Sequence, residues 1–264
     1  MSRSILNPRP KAVARLALPA ILALTACLPG ACPVAAAPPK RFFGMQAWQE
    51  PFTSELGRMS RGGAGTFRAS FTWASIQPAA DGPMDWSRYD RLVAAASAAH
   101  MNVLPVIFGS PGYAAKRQSY PPRSSSARRR YVTFVKALVH RYGRGGSFAK
   151  SHAGIRAITQ WQVWNEPNLP YYWTNGRPSA RQYVALLRLT RSAIRKRDSR
   201  ARVVGAGLPE SRARGAISMI DFLTAMYRAK GRPYFDAVAL HPYAADDDGV
   251  EGALIRCIDD LRLV

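Results

Sequence analysis

The chain has 264 residues, which is long enough for one large domain. Apolar residues make up 47% of it and charged residues 20%, a composition that supports a folded core and excludes an intrinsically disordered chain. The formal net charge of +22 has two interpretations: an arginine-rich surface that reflects genome composition, or a basic patch for an anionic partner such as nucleic acid or an acidic glycan.

Residues 1–37 have the features of a targeting segment. Basic residues between positions 3 and 15 precede an apolar run at 16–24 that is too short for a permanent membrane span. The alanines at 35–37 favour cleavage by signal peptidase, whereas Leu-Thr-Ala-Cys at 24–27 resembles a bacterial lipobox that would be lipidated at Cys27. Both alternatives predict that residues 38–264 work outside the cytoplasm, secreted or lipid-anchored at a bacterial cell envelope. The Cys27 anchor is the only membrane association that we predict.

Strand-like and helix-like segments alternate from residue 38 onward. Period-two or continuous apolar runs predict strands at 41–48, 65–73, 102–108, 158–166, 201–208 and 235–243. Apolar residues at helical spacing predict helices at 52–59, 85–100, 128–142, 179–196, 216–229 and 250–261. Such alternation is typical of a parallel sheet covered by helices, either doubly wound or closed as a (β/α) barrel. No glycine-rich phosphate motif follows the first strand, which disfavours a nucleotide-binding sheet.

The two sides of each predicted strand favour the barrel. In 67–73, apolar residues alternate with Arg68, Ser70 and Thr72, so one side suits helices and the other carries polar groups. The interior of a barrel is that second side, and active sites form at the carboxyl ends of its strands. We therefore predict an α/β fold of the (β/α)8 TIM-barrel type, with about six β/α units present.

The fourth predicted strand ends in a polar segment, Asn165-Glu166-Pro167-Asn168. Pro167 lacks an N–H and restrains the residue before it, so we expect the strand to stop there, with Glu166 on its last rung. A carboxyl group at the end of a strand and among aromatic residues is a candidate general acid. By the same alternation, Arg68 from the second strand and His241 and Tyr243 from the sixth face the barrel interior.

Residues 162–168, Gln-Val-Trp-Asn-Glu-Pro-Asn, resemble the fourth-strand motif of the clan A retaining glycoside hydrolases, and families 39 and 5 in particular. The resemblance extends from about residue 42 to the chain end. It implies that Glu166 is the acid/base and that Asn165 binds the sugar 2-hydroxyl. It also implies that Arg68 lies beside the nucleophile and that His241 and Tyr243 correspond to a sixth-strand His-x-Tyr. The alternative is that Arg68 is an interior ion-pair residue and that His241 and Tyr243 only pack.

Aromatic residues near the predicted carboxyl ends of the strands are candidate platforms for sugar rings. They follow the first, second and fourth strands, and the alternative is ordinary loop packing. The predicted substrate-binding residues are Trp48, Trp73, Tyr171, Tyr172 and Trp173.

A retaining glycosidase needs a second carboxyl group about 5–5.5 Å from the first. In clan A this nucleophile ends the seventh strand, whereas this sequence contains six predicted units. Asp246, Asp247 and Asp248 follow the sixth strand at the correct face, but they match no clan pattern. We therefore expect a truncated barrel that is poorly stable and nearly inactive alone. Its full-length parent would be a retaining glycosidase acting on O-glycosyl bonds of a poly- or oligosaccharide.

No cysteine or histidine spacing suggests a zinc site, and we predict neither a metal nor another cofactor. Two other functions remain open. The first is a non-hydrolytic carbohydrate-binding barrel or an inactive fragment. The second is a basic protein that binds nucleic acid or another anionic polymer; since the sequence has no RNA-binding signature, we expect a carbohydrate partner and no nucleic acid.

Overall fold

Six parallel strands form one sheet in which each strand pairs with its neighbour along the chain. The computed structural model describes residues 38–47, 53–173, 177–211 and 213–243, together with Gly252, Ile255 and Asp259. The strands are β1 (Gly44–Met45), β2 (Thr66–Thr72), β3 (Asn102–Phe108), β4 (Gln160–Val163), β5 (Arg202–Pro209) and β6 (Ala237–His241). A doubly wound sheet reverses its strand order at a switch point, and this order never reverses. The predicted fold class is therefore confirmed: the strands and helices form a curled half of a (β/α) barrel.

Helices follow the strands in the alternation that the sequence predicts. They are α1 (Thr53–Arg61), α2 (Trp73–Ile76), α3 (Ser87–Ala98), α4 (Ser125–Tyr142), α5 (Ser147–Ser151), α6 (Ala180–Arg197) and α7 (Met219–Arg228). Single 3-10 turns occupy Pro170–Tyr172 and Arg232–Tyr234. The short helices α2 and α5 are not apparent in the sequence, because four or five residues show no helical period.

Serine side chains define where the long helices begin. Ser124 Oγ accepts a hydrogen bond of 3.1 Å from the Ala127 N–H, which satisfies one of the unpaired donors in the first turn of α4. Ser179 and Ser218 cap α6 and α7 in the same way. The cap at Ser124 explains why α4 starts at Ser125 and not at residue 128 as predicted.

The main core lies between the sheet and the helices. Phe67, Phe71, Trp161 and Val163 point from β2 and β4 toward the helices and are all buried. Their neighbours in sequence, including Arg68 and Gln162, face the opposite side of the sheet, as the strand alternation predicts. Burial of the aromatic side chains supplies much of the hydrophobic stabilisation, and it leaves the inner face for polar groups.

Three predicted strands are much longer than the observed ones. The structure shortens the first strand from 41–48 to Gly44–Met45, and Arg41 has a left-handed backbone (φ 63°). The fourth strand ends at Val163, three residues before Glu166. The sixth ends at His241, two residues before Tyr243.

Several predictions concern residues outside the described ranges. They are the leader of residues 1–37 with Cys27, the stacking residue Trp48, and the run Asp246–Asp248. For the predicted last helix, the described positions Gly252, Ile255 and Asp259 are helical. Residues Pro39–Val264 form one unit by their internal contacts. None of the helices in the described part of the chain combines the length and apolar character needed to cross a membrane.

Candidate active site

Glu166 lies in a strained turn after β4, not on the last rung of the strand. Trp164 and Glu166 have left-handed backbone conformations (φ 65° and 46°), which residues other than glycine rarely adopt. Each such residue costs on the order of 1–3 kcal/mol and persists only where its surroundings hold it. Here the Trp164 N–H donates to the carbonyl of Ile107 (3.0 Å) and the Glu166 N–H to that of Gly207 (3.1 Å). The turn aims Glu166 at the inner side of the half-barrel, where β6 brings its own polar groups.

The Glu166 side chain is 8% exposed, and its carboxyl group bonds to two residues of the sixth unit. Tyr243 donates its hydroxyl hydrogen to Glu166 Oε1 at 2.9 Å, and His241 Nδ1 lies 2.7 Å from the same oxygen. Three of the predicted site residues therefore meet, although 75 positions separate Glu166 from His241.

Arg68 of β2 is the centre of a second network, which reaches β4, β6 and the segments that follow β1 and β4. Its Nε donates to Gln162 Oε1 (2.9 Å), and its Nη2 donates to Asn165 Oδ1 (2.9 Å). Its Nη1 donates to Gln46 Oε1, and its Nη2 lies 3.3 Å from His241 Nε2. Three of these partners are uncharged amides, and among the described residues no carboxylate forms an ion pair with Arg68. The guanidinium thus orients the amide of Asn165 and links it to His241.

Hydrogen-bond roles at His241 follow from its two neighbours. A guanidinium can only donate, so the Arg68 contact makes Nε2 of His241 the acceptor. The hydrogen of the neutral ring is then on Nδ1, which donates it to Glu166. With its hydrogen on Nδ1, His241 therefore accepts from Arg68 and donates to Glu166.

Burial and charge shift the ionisation of the groups around Glu166. Desolvation lowers the pKa of Arg68, an effect that the nearby Tyr243 and Glu166 oppose. Partial burial, the hydrogen bond to Glu166 and the charge of that carboxylate together raise the pKa of Tyr243 to about 12. Burial and the Glu166 charge also raise the pKa of Tyr172. Both phenols are therefore neutral hydrogen-bond donors near neutral pH.

These groups line an open cavity of about 790 Å³ on the inner face of the sheet. Pockets of this size accommodate small ligands such as sugars. Of the described residues that line it, Glu166 is the only one with a carboxyl group, while Arg68 and Arg88 are its cations. The cavity thus combines one proton donor or acceptor with several fixed hydrogen-bond donors.

The predicted sugar-stacking residues divide into two groups. Tyr172 lines the cavity and packs edge-on against Phe108, with ring centroids 5.8 Å apart. Tyr171 is 64% exposed beside Tyr172, and Ser119 Oγ fixes its backbone by donating to the Tyr171 carbonyl (2.8 Å). Both tyrosines remain candidates for contact with a sugar.

Trp73 and Trp173 are corrected to core residues. Each is 1% exposed, so neither presents a ring face to the cavity. Trp73 begins α2 and stacks on Phe134 with ring centroids 5.7 Å apart. Trp173 donates its indole N–H to Gln182 Oε1 (3.2 Å). The strand-end position suggested an exposed indole, but the helices that follow cover both rings.

Three polar residues of the site were not predicted as such. Gln162 shares the side of Arg68 by strand alternation, and that signal would have been enough to select it. Gln46 has no comparable signal, because β1 is too short to show a period. Asn168 is buried and donates from Nδ2 to the carbonyls of Pro209 and Ile217, each at 2.9 Å. It fastens the Glu166 turn to the end of β5 and to the segment that follows it.

Metal-binding groupings of three or more His, Cys, Asp or Glu side chains do not occur within the described ranges.

A half-barrel of parallel strands with a buried carboxyl group at their carboxyl ends defines an α/β protein of the TIM-barrel type, with a candidate active site in the usual place. No protein-family model matches the sequence, and the comparison with curated proteins also finds no match. Among solved structures, the fold is similar to a family 39 β-xylosidase from Caulobacter crescentus, with 20% identity, a TM-score of 0.59, and coverage of 86% of this chain and 52% of that one.

Two further family 39 glycoside hydrolases have similar folds. For the enzyme from Xanthomonas axonopodis pv. citri the identity is 17% and the TM-score 0.60, with coverage of 86% of this chain and 49% of that one. For the enzyme from Bacteroides cellulosilyticus WH2 the identity is 19% and the TM-score 0.56, with coverage of 77% and 38%. The chain therefore spans about half or less of the length of these structures. The predicted resemblance to family 39 is confirmed for the fold, while the roles of the site residues stay predictions.

Proposed function

We propose that the cavity is the active site of a retaining glycoside hydrolase and that Glu166 is its acid/base. The observation that supports this best is the placement of Glu166. It is nearly buried at the carboxyl end of β4 and held by His241 and Tyr243 at the edge of a sugar-sized cavity. A group in this position protonates the leaving oxygen in one step and activates water in the next.

Asn165 and Arg68 complete the proposed sugar site. Because Arg68 donates to Asn165 Oδ1, the amide nitrogen of Asn165 is the donor end, and it suits an acceptor such as the 2-hydroxyl oxygen of a sugar. That contact strengthens as the ring flattens toward an oxocarbenium-like transition state. Arg68 also supplies a cation to the cavity, where the nucleophilic carboxylate of a retaining mechanism needs a partner.

The nucleophile in this mechanism has to come from outside the described cavity residues, since Glu166 is the only carboxyl group that those residues supply. That same observation favours a second candidate, a barrel that binds carbohydrate without hydrolysing it. The substrates named for the similar structures suggest a β-xyloside as the first probe of both functions.

The leaving group of the substrate tests the role of Glu166. In a form of the protein that supplies the nucleophile, Glu166→Gln should lower kcat/KM about 10²–10⁴-fold for an aryl β-xyloside with a poor phenol leaving group, because general acid catalysis contributes about that much. A dinitrophenyl xyloside needs little protonation, so it should lose much less at the glycosylation step. Azide should then accelerate turnover of the variant, because azide attacks without giving up a proton.

Glu210→Gln is the matched control, since the Glu210 side chain accepts a hydrogen bond from the Met219 N–H and does not line the cavity. It should behave as the unmodified protein does. An equal loss for both leaving groups in Glu166→Gln, with no azide effect, would refute the acid/base role. Calorimetric binding of a xylo-oligosaccharide without any turnover, unchanged by Glu166→Gln, would favour the binding barrel instead.

A further inference from the structure

Strand β5 contains a bulge at Ala206 and Gly207, and both residues bond to the β4 side of the site. Ala206 has a left-handed backbone (φ 56°) and Gly207 has φ 131°, and the pairing of β5 with β6 shifts between Ala206 and Leu208. Bulges of this kind re-aim the groups of a strand and its neighbours. Ala206 and Leu208 are completely buried, so the bulge is held on both sides.

Backbone carbonyls of the bulge accept hydrogen bonds from Gln162, near the end of β4, and from Glu166, in the turn that follows. The Ala206 carbonyl accepts from Gln162 Nε2 at 2.5 Å, and the Gly207 carbonyl accepts from the Glu166 N–H at 3.1 Å. The position of the Glu166 backbone is thus set by Gly207, and the Gln162 amide is fixed by Ala206.

A tyrosine of α6 anchors the bulge from the helix side. The Ala206 N–H donates to the hydroxyl of Tyr183, which in turn donates to the Val163 carbonyl at 2.8 Å. Tyr183 is completely buried, and its hydroxyl therefore ties the last residue of β4 to the bulge in β5. Strands β4 and β5 cannot shift relative to each other at this point without breaking this bridge.

Gly207 also leaves the space that two site residues occupy. A Cβ atom at position 207 would lie 2.7 Å from Gln162 Nε2 and 2.9 Å from His241 Nε2, distances that real Cβ atoms do not show. Gln162 and His241 are two of the four residues that contact the Arg68 guanidinium. Any side chain at 207 would displace one or both of them.

We propose that the Ala206–Gly207 bulge positions the acid/base group, with Gly207 as a positioning residue for both Glu166 and His241. Its carbonyl sets the Glu166 backbone, and its missing side chain admits the His241 ring that bonds to the Glu166 carboxyl group. The kinetic consequence rests on the proposed glycosidase function, whereas the geometric consequence does not.

Gly207→Ala tests the proposal, with Gly205→Ala as the matched control two positions earlier on the same strand. An added Cβ at Gly205 would meet the Phe235 ring at 3.5 Å, which is ordinary contact, so that variant should resemble the unmodified protein. The first readout is the ¹⁵N NMR signal of the His241 ring. The chain has four histidines, and His241→Gln identifies the signal. We expect the Nδ1–H tautomer in the unmodified protein and in Gly205→Ala, and its loss in Gly207→Ala.

The second readout is kcat/KM on xylosides with poor and good leaving groups. A displaced acid/base should cost Gly207→Ala about a hundredfold on the poor leaving group, and less on the good one. Its thermal unfolding should occur below that of Gly205→Ala, because a side chain at φ 131° is strained. Altered His241 signals together with an equal loss for both leaving groups in Glu166→Gln would support the positioning inference and refute the proposed function. Identical His241 signals in Gly207→Ala and Gly205→Ala would overturn the inference.

Tyr183→Phe keeps the test decisive if Gly207→Ala does not fold. This variant retains the buried ring and removes only the hydroxyl that links Val163 to Ala206. It should change the His241 signal in the same direction without adding a Cβ clash. An unchanged His241 signal in Tyr183→Phe would then overturn the inference.

Discussion

At the scale of single residues, one oxygen of Glu166 organises the candidate site. Oε1 receives both the Tyr243 hydroxyl and the His241 Nδ1 hydrogen, so the carboxyl group has a fixed orientation before any ligand arrives. Preorganised groups of this kind are worth more in catalysis than flexible ones, since no reorganisation is needed during the reaction.

The pKa of Tyr243 reveals its hydrogen bond to Glu166 without an activity assay. With a pKa raised to about 12, Tyr243 should stay neutral at about pH 10.5–11, where a phenol with the ordinary value of about 10 is mostly ionised. In Glu166→Gln the carboxylate charge is gone, and the pKa of Tyr243 should fall toward 10 while partial burial keeps some of the increase.

The measurement is ¹³C NMR of tyrosines labelled at the ζ carbon, with Tyr243→Phe to identify the signal. The same Tyr243 titration in the unmodified protein and in Glu166→Gln would contradict the contact.

At the scale of elements, Asp236 ties α6 to β5 and to the start of β6. Its Oδ2 accepts from the Val203 N–H (2.7 Å) and from Arg191 (3.1 Å), and its Oδ1 pairs with Arg195 (3.2 Å). Burial pushes the pKa of Asp236 upward, but the Val203 hydrogen bond and the two guanidinium groups outweigh it and lower the pKa overall. The carboxylate thus aligns β5 with β6 where β6 begins.

We expect Asp236→Asn to reduce the free energy of unfolding by about 1.5–3 kcal/mol, the range for losing hydrogen bonds to a charged group. Because the folded-state pKa is lowered, this stabilisation is present above about pH 4 and is lost as the pH falls through the lowered value. Urea unfolding at pH 7 and at pH 3 measures the difference between the variant and the unmodified protein.

Asp81→Asn is the matched control, since Asp81 pairs with Arg130 at 2.7 Å but its side chain is 86% exposed. Solvent screens such a pair, so its loss should leave stability unchanged. Equal effects of the two substitutions would contradict the role of Asp236.

At the scale of the whole molecule, the core between sheet and helices contains several buried phenols. Tyr131, Tyr142 and Tyr183 are all buried there, and burial is the main cause that raises the pKa of each. The hydroxyl groups have internal partners, such as Asp90 for Tyr142 (2.7 Å), so they are stable in the neutral form.

Alkaline unfolding follows from these three phenols. Their folded-state pKa values exceed the ordinary value of about 10, so their contribution to stability is complete below about pH 10 and is lost as the pH rises further. Far-UV circular dichroism and tyrosinate absorbance, followed from pH 8 to 12, should show that the buried phenols ionise only as the helices unfold. Above about pH 10, each buried phenol makes the free energy of unfolding fall by about 1.4 kcal/mol per pH unit, so Tyr131→Phe should reduce this slope by that amount. Full tyrosinate absorbance with an intact helical signal would contradict this expectation.

Local patterns in the sequence predicted the fold class, the order of the elements and the core of the site. The spacing of apolar residues distinguishes a strand from a helix within a short stretch of sequence. Alternation within a strand assigns Arg68 and Gln162 to the inner face of the sheet. The motif at 164–168 selected Glu166 and Asn165, and their contacts to His241 and Arg68 place all four in one cluster.

Only the tertiary structure decided the backbone around Glu166 and the burial of two tryptophans. The left-handed turn at Trp164 and Glu166 exists because β3 and the β5 bulge bind its N–H groups, and no local propensity favours it. Likewise, a strand-end indole is exposed or covered according to the helices that pack on it, which put Trp73 and Trp173 in the core. Contacts between distant segments set these features, because neighbouring residues alone do not determine which groups meet across a sheet.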